Sequence, residues 1–284
     1  MKTVHTVKEL RQIVSEQRRN GKRIGFVPTM GNLHQGHLSL VQQAKEKADF
    51  VVCSIFVNPT QFGAGEDYHR YPRTLDNDCE KLETVDCDLV FAPDEDEMYP
   101  EHSQAWVRVT VNDVSEKHCG SRREGHFDGV ALVVSKLFNM VLPDVAVFGK
   151  KDYQQLAVIR RMTKALNFPI SIIGGETVRE PNGLAMSSRN GYLSDAEKER
   201  AAILYQQLCR IKQLIQSGRR DFEQLAEDAE RHLADDGLMF EYFNIADQDT
   251  LKLADNNTQR FVILTAVKMG SARLIDNIDF DISE

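Results

Sequence analysis

Cysteine is scarce in this chain of 284 residues, and the cysteine pattern disfavours two common architectures. The five cysteines are odd in number and never form a CxxC pair, so we expect neither a disulfide framework nor a zinc ribbon. His118 and Cys119 are adjacent, but they lack further ligands at metal spacing. We therefore predict no metal site built from side chains.

Long apolar runs and an excess of positive charge are also lacking. Runs such as 261–264 are far too short to span a bilayer, and the N-terminal residues contain no apolar h-region, so we expect no membrane association, no signal peptide and a cytoplasmic location. The formal net charge of −8 disfavours a general nucleic-acid binder, which needs a basic surface. A small anion held by a local basic cluster stays compatible with this composition.

Two familiar phosphate-binding loops, GxGxxG and GxxxxGK[ST], are absent, and a different turn stands in their place. The apolar run 24–27 leads into PTMGNLHQGH at 28–37, and apolar residues then recur at helical spacing. A strand that turns into a helix presents backbone N–H groups to an anion, and His34 and His37 add side-chain donors. The pattern predicts a phosphate site. A phosphate-free turn with one surface and one capping histidine is the open alternative.

Strands and helices alternate up to about residue 180. This predicts a Rossmann-like α/β domain over residues 1–180, with a largely parallel sheet and helices on both faces. In such sheets ligands bind at the carboxyl ends of the strands. The predicted strands are 24–27, 50–57, 89–92, 145–148 and 169–173, with a further β-rich stretch at 106–111 as an edge strand; the predicted helices begin at Thr6, His37, Thr74, Gly129 and Tyr153.

The pattern changes after residue 180. A capping box at 194–197 and amphipathic patterns at 201–217 and 222–233 predict helices, and strands are predicted at 240–245, 261–267 and 273–278. Helices followed by strands, without alternation, favour a smaller α+β domain over residues 181–284.

Polar clusters follow two other predicted strands. Asn58 and Gln61 offer donors and acceptors suited to hydroxyl and carboxylate groups, although an ordinary Asn-Pro turn is the alternative. In the sequence GKKDYQQ at 149–155, lysine can neutralise phosphate charge, and Asp152 and Gln155 share one helical face. A charged helix start with solvated lysines is the alternative there.

Three further segments have open roles. The sequence MSSRN at 186–190 offers two hydroxyls and an arginine to a triphosphate, or forms a plain polar loop. The segment 122–127 either adds positive charge or is a solvated basic loop. The acidic run 94–97 is interpreted as a solvated loop.

Four motifs together carry a resemblance over essentially the whole chain. PTMGNLHQGH, FVNPTQFG, FGKKDYQQL and AMSSRNGYL, in this order and spacing, resemble the pantoate–β-alanine ligase family within the HxGH nucleotidyltransferases; RYPRTL, EGHFDGV and ARLIDN agree. The resemblance implies condensation of pantoate with β-alanine through a pantoyl adenylate, using ATP and Mg²⁺ and releasing AMP and pyrophosphate. It also implies a cytoplasmic homodimer with a Rossmann-like domain and a smaller C-terminal lid domain.

The resemblance also implies the site residues. His34, His37, Lys151 and Arg189 would be catalytic, with His37 as proton donor and Lys151 as the charge-stabilising lysine. Gln61, Gln155 and Asn58 would bind pantoate or β-alanine. No protein ligand is predicted for Mg²⁺, which ATP's own oxygens would mainly hold. The ATP-binding set is Met30, Gly31, Asn32, Leu33, His34, Gln35, Gly36, His37, Gly149, Lys150, Lys151, Asp152, Val178, Met186, Ser187, Ser188 and Arg189.

Two positions depart from the family pattern. Lys150 stands where glutamate is more frequent, so the choice of Lys151 as the functional lysine depends on alignment, and Thr60 stands where methionine is frequent. Two rival functions stay open: another HxGH transferase that joins a nucleotide to a phosphorylated alcohol, and an ATP-sensing module that has lost catalysis.

Overall fold

A computed structural model describes residues 1–282, which form two compact units. Unit 1 comprises Met1–Ser115, Arg123–Gly149 and Gln155–Glu176, and unit 2 comprises Glu116–Arg122, Lys150–Gln154 and the chain from Thr177 onward. Among residues 1–282, no helix combines the length and apolar character needed to cross a membrane.

Within the described residues, unit 1 is built on a six-stranded parallel sheet, which confirms the predicted fold class. The sheet order is β1-β4-β3-β2-β5-β6. Its inner strands are continuous apolar runs, as expected where both faces are covered. The strands are β1 Lys2–Val4, β2 Ile24–Thr29, β3 Phe50–Ile55, β4 Leu89–Phe91, β5 Val145–Gly149 and β6 Ser171–Gly175.

Strand β2 lies at the point where the strand order reverses. It pairs in parallel with β3 on one side and with β5 on the other. In doubly wound sheets the ligand crevice lies outside the carboxyl ends of the two strands at this reversal. The topology therefore predicts a ligand crevice at the residues that follow Thr29 and at Gly149.

Amphipathic or largely apolar helices connect these strands. Buried residues of β2, β3, β5 and the second helix, among them Val27, Val41, Val51 and Val147, share one apolar core. The connecting helices are α1 Val7–Arg19, α2 Gln35–Lys45, α3 Leu75–Glu83, α4 Glu95–Met98, α5 His126–Val141 and α6 Tyr153–Ala165.

Unit 2 contains the predicted helices followed by an antiparallel sheet. Its core packs Leu208 and Leu225 from helices against Phe261 and Ile263 from the sheet. The strand order is β7-β8-β9, with consecutive antiparallel pairing. The elements are α7 Asp195–Ala201, α8 Ile203–Gln216, α9 Phe222–Asp235, β7 Met239–Asp247, β8 Arg260–Met269 and β9 Ala272–Asp281.

The predicted edge strand at 106–111 is wrong. These residues, all within the described part of the chain, form no strand, and Trp106 and Val107 are exposed. High β-propensity reflects how well side chains pack on a pleated, half-buried surface, and no described strand pairs with this segment. Its alternating apolar residues therefore misled the prediction.

The acidic run 94–97 is exposed at Asp94, Glu95 and Asp96, as predicted, but it forms a helix start and not a loop. Asp94 caps helix α4, accepting a hydrogen bond from the Glu97 N–H at 2.8 Å. Glu97 in turn accepts from the Val7 N–H at 2.7 Å. A carboxylate at a helix start satisfies an orphan amide and favours the dipole, so this run supports two helix N-termini.

Candidate functional site

The turn after β2 brings His34 and His37 together at the start of α2. Both imidazoles are half-buried, and their ring centroids are 4.1 Å apart. His34 is the N-cap of α2, and Gly31 and Asn32 just before it have positive φ angles of 83° and 50°. The two rings thus stand at a helix N-terminus beside the reversal of the strand order, where anion binding is expected.

Backbone hydrogen bonds orient both rings in the same way. The Gly36 N–H donates to His34 Nδ1 at 3.2 Å, and the His34 N–H donates to His37 Nδ1 at 3.3 Å. Because each Nδ1 accepts a hydrogen bond, the neutral ring carries its proton on Nε2. Nε2 of each neutral ring is therefore a donor, the kind of group that a site for phosphate oxygens requires.

Helix α3 supplies a support for this turn that the sequence analysis missed. The fully buried Asp78 carboxylate accepts from the Asn32 N–H at 2.8 Å and the Leu33 N–H at 2.7 Å. Lys81, one turn later, donates to the Leu33 carbonyl at 2.7 Å. In the sequence, the only sign of this support is that Asp78 and Lys81 are three residues apart and so share one face of α3. That spacing does not identify the turn as their partner until the tertiary structure is known.

Gln61 belongs to the loop that follows β3, and its side chain contacts the loop that follows β2. Its Nε2 donates to Met30 Sδ at 3.2 Å, and its Oε1 accepts from Asn58 Nδ2 at 2.9 Å. Unit 1 therefore places two predicted substrate residues, Asn58 and Gln61, next to the phosphate turn residue Met30.

Asn58 is buried, and its side chain is used by the protein itself. Its Nδ2 also donates to the Gly129 carbonyl at 3.2 Å, while its Oδ1 accepts from Tyr99 Oη at 2.8 Å and from Thr60. Both donors and the acceptor of the amide are thus engaged. The geometry favours a supporting role for Asn58 and a substrate-facing role for Gln61.

In unit 2 the two adjacent lysines have different surroundings. Lys150 Nζ is 2.9 Å from the Asp279 carboxylate, whereas Lys151 Nζ is 3.9 Å from Asp152. Asn277 Nδ2 donates to the carbonyls of both lysines, at 2.9 and 2.8 Å. Strand β9 therefore fixes the backbone of this pair and neutralises Lys150, and the ARLIDN motif acquires a structural role.

Next to Asn277, Asp276 forms a buried ion pair. Arg179 binds its carboxylate in a fork, at 2.7 and 2.9 Å, and stacks on the Tyr205 ring. Burial raises the pKa of Asp276, and the charge and hydrogen bonds of Arg179 offset this only in part. The ion pair anchors the segment that carries Val178 to strand β9.

Val178 and the serine-rich motif are neighbours in unit 2. The Met186 N–H donates to the Val178 carbonyl at 3.0 Å, and Arg179 pairs with Ala185. Ser187 caps the short helical turn Ser188–Tyr192 by accepting from the Arg189 N–H at 3.2 Å. The half-buried Ser188 and Arg189 follow directly.

Gln155, the third predicted substrate residue, lies half-buried in the first turn of α6.

A doubly wound parallel sheet with a histidine-bearing turn at its reversal point is typical of α/β nucleotide-binding proteins. The family model described as Pantoate-beta-alanine ligase matches residues 2–279. A pantothenate synthetase from Pseudomonas fluorescens strain Pf-5 is 54% identical over 282 residues, covering 99% of both chains. The chain belongs to the pantoate–β-alanine ligase family and is a ligase.

Solved structures agree in fold. The pantothenate synthetase from Thermus thermophilus has a TM-score of 0.91 at 44% identity, covering 98% of this chain and 99% of its own. The pantoate–β-alanine ligase from Francisella tularensis, complexed with β-γ ATP and β-alanine, has a TM-score of 0.83 at 34% identity, covering 98% and 97%.

Proposed function

We propose that this protein condenses pantoate with β-alanine to form pantothenate through a pantoyl-adenylate intermediate, consuming ATP and releasing AMP and pyrophosphate. The observation that carries this proposal is the pair of neighbouring imidazoles, His34 and His37, each held through Nδ1 by a backbone N–H at the helix N-terminus beside the strand reversal. Donors that a turn holds in place stabilise charge as it develops on a phosphate, with little reorganisation at the moment of reaction.

The first step is attack by a pantoate carboxylate oxygen on the α-phosphorus of ATP. The P–O bond to the leaving pyrophosphate breaks, and its electron pair stays on pyrophosphate. His34 and His37 donate to phosphate oxygens, and Lys151 balances the added negative charge. Arg189, with Ser187 and Ser188, binds the departing pyrophosphate.

The second step is attack by the β-alanine amine on the adenylate carbonyl carbon. An amide bond forms, the bond from that carbon to the phosphate oxygen breaks, and AMP leaves with the electron pair; the amine loses a proton. Gln61 and Gln155 hold pantoate in line for both steps, because placement supplies much of such a rate enhancement.

The remaining assignments concern Mg²⁺ and the other residues that we place around ATP. Mg²⁺ bound with ATP would neutralise phosphate charge, and phosphate oxygens and water would supply most of its ligands. Among residues 1–282, no three His, Cys, Asp or Glu side chains form a group able to hold a metal. The remaining ATP contacts are Met30 to Leu33, Gln35, Gly36, Gly149, Lys150, Asp152, Val178 and Met186.

Residues 1–180 act as the catalytic domain and residues 181–284 as the smaller lid domain. The enzyme works as a homodimer in the cytoplasm.

Pantoate-dependent exchange between ATP and pyrophosphate tests this function directly. Labelled pyrophosphate should enter ATP when pantoate and Mg²⁺ are present and β-alanine is omitted, and omission of pantoate should abolish the exchange. Addition of β-alanine should then yield pantothenate and AMP. Absence of exchange would contradict the adenylation mechanism and favour a nucleotide sensor, whereas exchange with a phosphorylated alcohol in place of pantoate would favour the rival transferase.

A further inference from the structure

The backbone of Gln61 is held by two side chains from the segment that starts α5. His126 Nδ1 lies 2.7 Å from the Gln61 carbonyl oxygen, and Arg123 Nη2 donates to the same oxygen at 3.4 Å. A carbonyl only accepts hydrogen bonds, so His126 Nδ1 carries a proton. The EGHFDGV motif thus contacts the glutamine that we assign to pantoate.

Arg123 fixes the other side of the His126 ring. Its Nη1 is 2.8 Å from His126 Nε2, and because arginine only donates, Nε2 is the acceptor. The two hydrogen bonds of His126 therefore agree on one form of the ring, a neutral imidazole with its proton on Nδ1. The ring is largely buried, so this orientation is well defined.

Glu66 completes what we call the Glu66–Arg123–His126 network. Its carboxylate accepts from Arg123 Nε at 2.7 Å and Nη2 at 2.6 Å. Burial alone would raise the pKa of Glu66, but the hydrogen bonds and charge of Arg123 outweigh it and lower that pKa. Arg123 is thus neutralised within unit 1, which corrects both sequence interpretations of 122–127 at Arg123 itself. Arg122 and Glu124 are exposed, as the solvated-loop alternative expects.

The network fixes the backbone of Gln61, while other residues fix its side chain. Asn58 holds Oε1 and Met30 holds Nε2, so all these contacts converge on one residue. Gly129, in the first turn of α5, lies so near Thr60 that a Cβ there would be 2.2 Å from the Thr60 carbonyl oxygen. Helix α5 is therefore pressed directly against the turn that carries Gln61.

We propose that the Glu66–Arg123–His126 network positions Gln61 for its hydroxyl- and carboxylate-bearing substrate. His126 and Arg123 are positioning residues, since both contact the Gln61 carbonyl, and Glu66 acts through Arg123. This inference rests on the proposed function, in which Gln61 binds pantoate. A displacement of the order of 1 Å can cost about 100-fold, so loss of the network should weaken productive pantoate binding, although we assign no substrate contact to its members.

A comparison of His126→Ala with His126→Asn isolates the positioning role. The asparagine amide nitrogen stands where His126 Nδ1 stands, two bonds from Cβ, and can still donate to the Gln61 carbonyl. We expect His126→Ala to raise the KM for pantoate by about 10- to 100-fold, with the KM for ATP little changed, and we expect His126→Asn to restore most of the loss. Ser135→Ala, a buried position elsewhere on α5, is the matched control and should leave both constants unchanged.

Hydrogen–deuterium exchange of residues 59–66 gives a readout independent of catalysis. These amides should exchange faster in His126→Ala than in the wild type, and at nearly wild-type rates in His126→Asn. Glu66→Gln, at the outer end of the network, should shift exchange and the pantoate KM in the same direction by less, and it serves if His126→Ala does not fold.

Three results would overturn the inference: an unchanged pantoate KM in His126→Ala, equal losses in His126→Ala and His126→Asn, or a parallel rise in the KM values for ATP and pantoate. A wild-type protein without pantoate-dependent exchange would instead refute the proposed function. In that case the deuterium measurement still decides whether the network fixes the segment.

Discussion

At the scale of single residues, the structure separates Lys150 from Lys151, which the sequence could not. Lys150 is paired with Asp279, and Asn277 binds the backbone carbonyls of both lysines. Adjacent lysines in a motif are equivalent to any reasoning based on residue type, and their difference comes from a strand more than a hundred residues away. The geometry favours Lys151 as the lysine that meets phosphate charge.

Lys151→Ala should slow adenylate formation by about 10²- to 10³-fold, the usual cost of removing one charge-stabilising donor. Lys150→Ala should slow the same step by about tenfold or less, a change of about 1.4 kcal/mol in the barrier at most, because Lys150 Nζ is already paired with Asp279 at 2.9 Å. Single-turnover formation of pantoyl adenylate measures both rates, with thermal unfolding as a check on folding. A near-normal rate for Lys151→Ala, or a larger loss for Lys150→Ala, would contradict this assignment.

The buried hydroxyl of Tyr99 leads us to predict that the free energy of unfolding falls at alkaline pH. Burial raises the pKa of Tyr99 to about 12, and the hydrogen bond with Thr60 only partly opposes this. An unfolded tyrosine ionises near pH 10, so between pH 10 and 12 the unfolded state releases a proton that the folded state keeps. Stability from this group is complete below pH 10 and falls as pH rises, by roughly 2–3 kcal/mol in all.

Tyr99→Phe separates the two contributions of this hydroxyl. At pH 7 the variant should be less stable by about 1–2 kcal/mol, since Asn58 loses a buried donor. Between pH 10 and 12 its free energy of unfolding should fall less steeply than that of the wild type. Other buried acids, such as Cys87, whose pKa burial raises to about 12, affect both proteins equally. Parallel curves in urea titrations across this range would refute the prediction.

At the scale of elements, the sequence predicts the strands and helices whose pattern of apolar residues lies within their own segment. The second and third strands are continuous apolar runs, and the amphipathic helices have regular spacing, so both were identified although some bounds shift; α5, for example, begins at His126 and not at Gly129. Strand β1 has three residues, and its identity depends on pairing with β4, which no local pattern reveals. The stretch 106–111 shows the converse, a strand-like pattern without a partner strand among the described residues.

Gly129→Ala tests the close approach between α5 and the turn that carries Gln61. An added Cβ would lie 2.2 Å from the Thr60 carbonyl oxygen and 2.8 Å from the Gln61 nitrogen, and both are backbone atoms, so the elements must separate. Overpacking of this kind costs about 1–3 kcal/mol. The variant should melt at a lower temperature and bind pantoate more weakly.

Gly63→Ala is the matched control, because its Cβ would meet Glu66 at an ordinary 3.8 Å. We expect its melting temperature and pantoate affinity, measured by calorimetry, to stay close to the wild-type values. If Gly129→Ala matched this control in both measurements, the contact between α5 and the turn would not matter for the site.

At the scale of the whole molecule, the sequence predicted the fold class because alternating elements allow few topologies. The motifs identified the family because four of them keep their order along the chain. The supports of the site were missed for a common reason. Asp78, His126 and Asn277 lie far in sequence from the residues they hold, and each has a residue type that is unremarkable in its own segment.

Assembly is the property of the whole molecule that stays a prediction, and we expect a homodimer. The chain mass is 32.3 kDa, so light scattering coupled to gel filtration should give about twice that value.

Neighbouring exposed apolar residues often mark an association surface, and Trp106 and Val107 are 67% and 56% exposed. Because Trp106 is the one tryptophan of the sequence, iodide quenching of its fluorescence should increase when dilution dissociates the dimer. A mass of one chain at every concentration would refute dimerisation, and quenching that stays constant through dissociation would place the interface elsewhere.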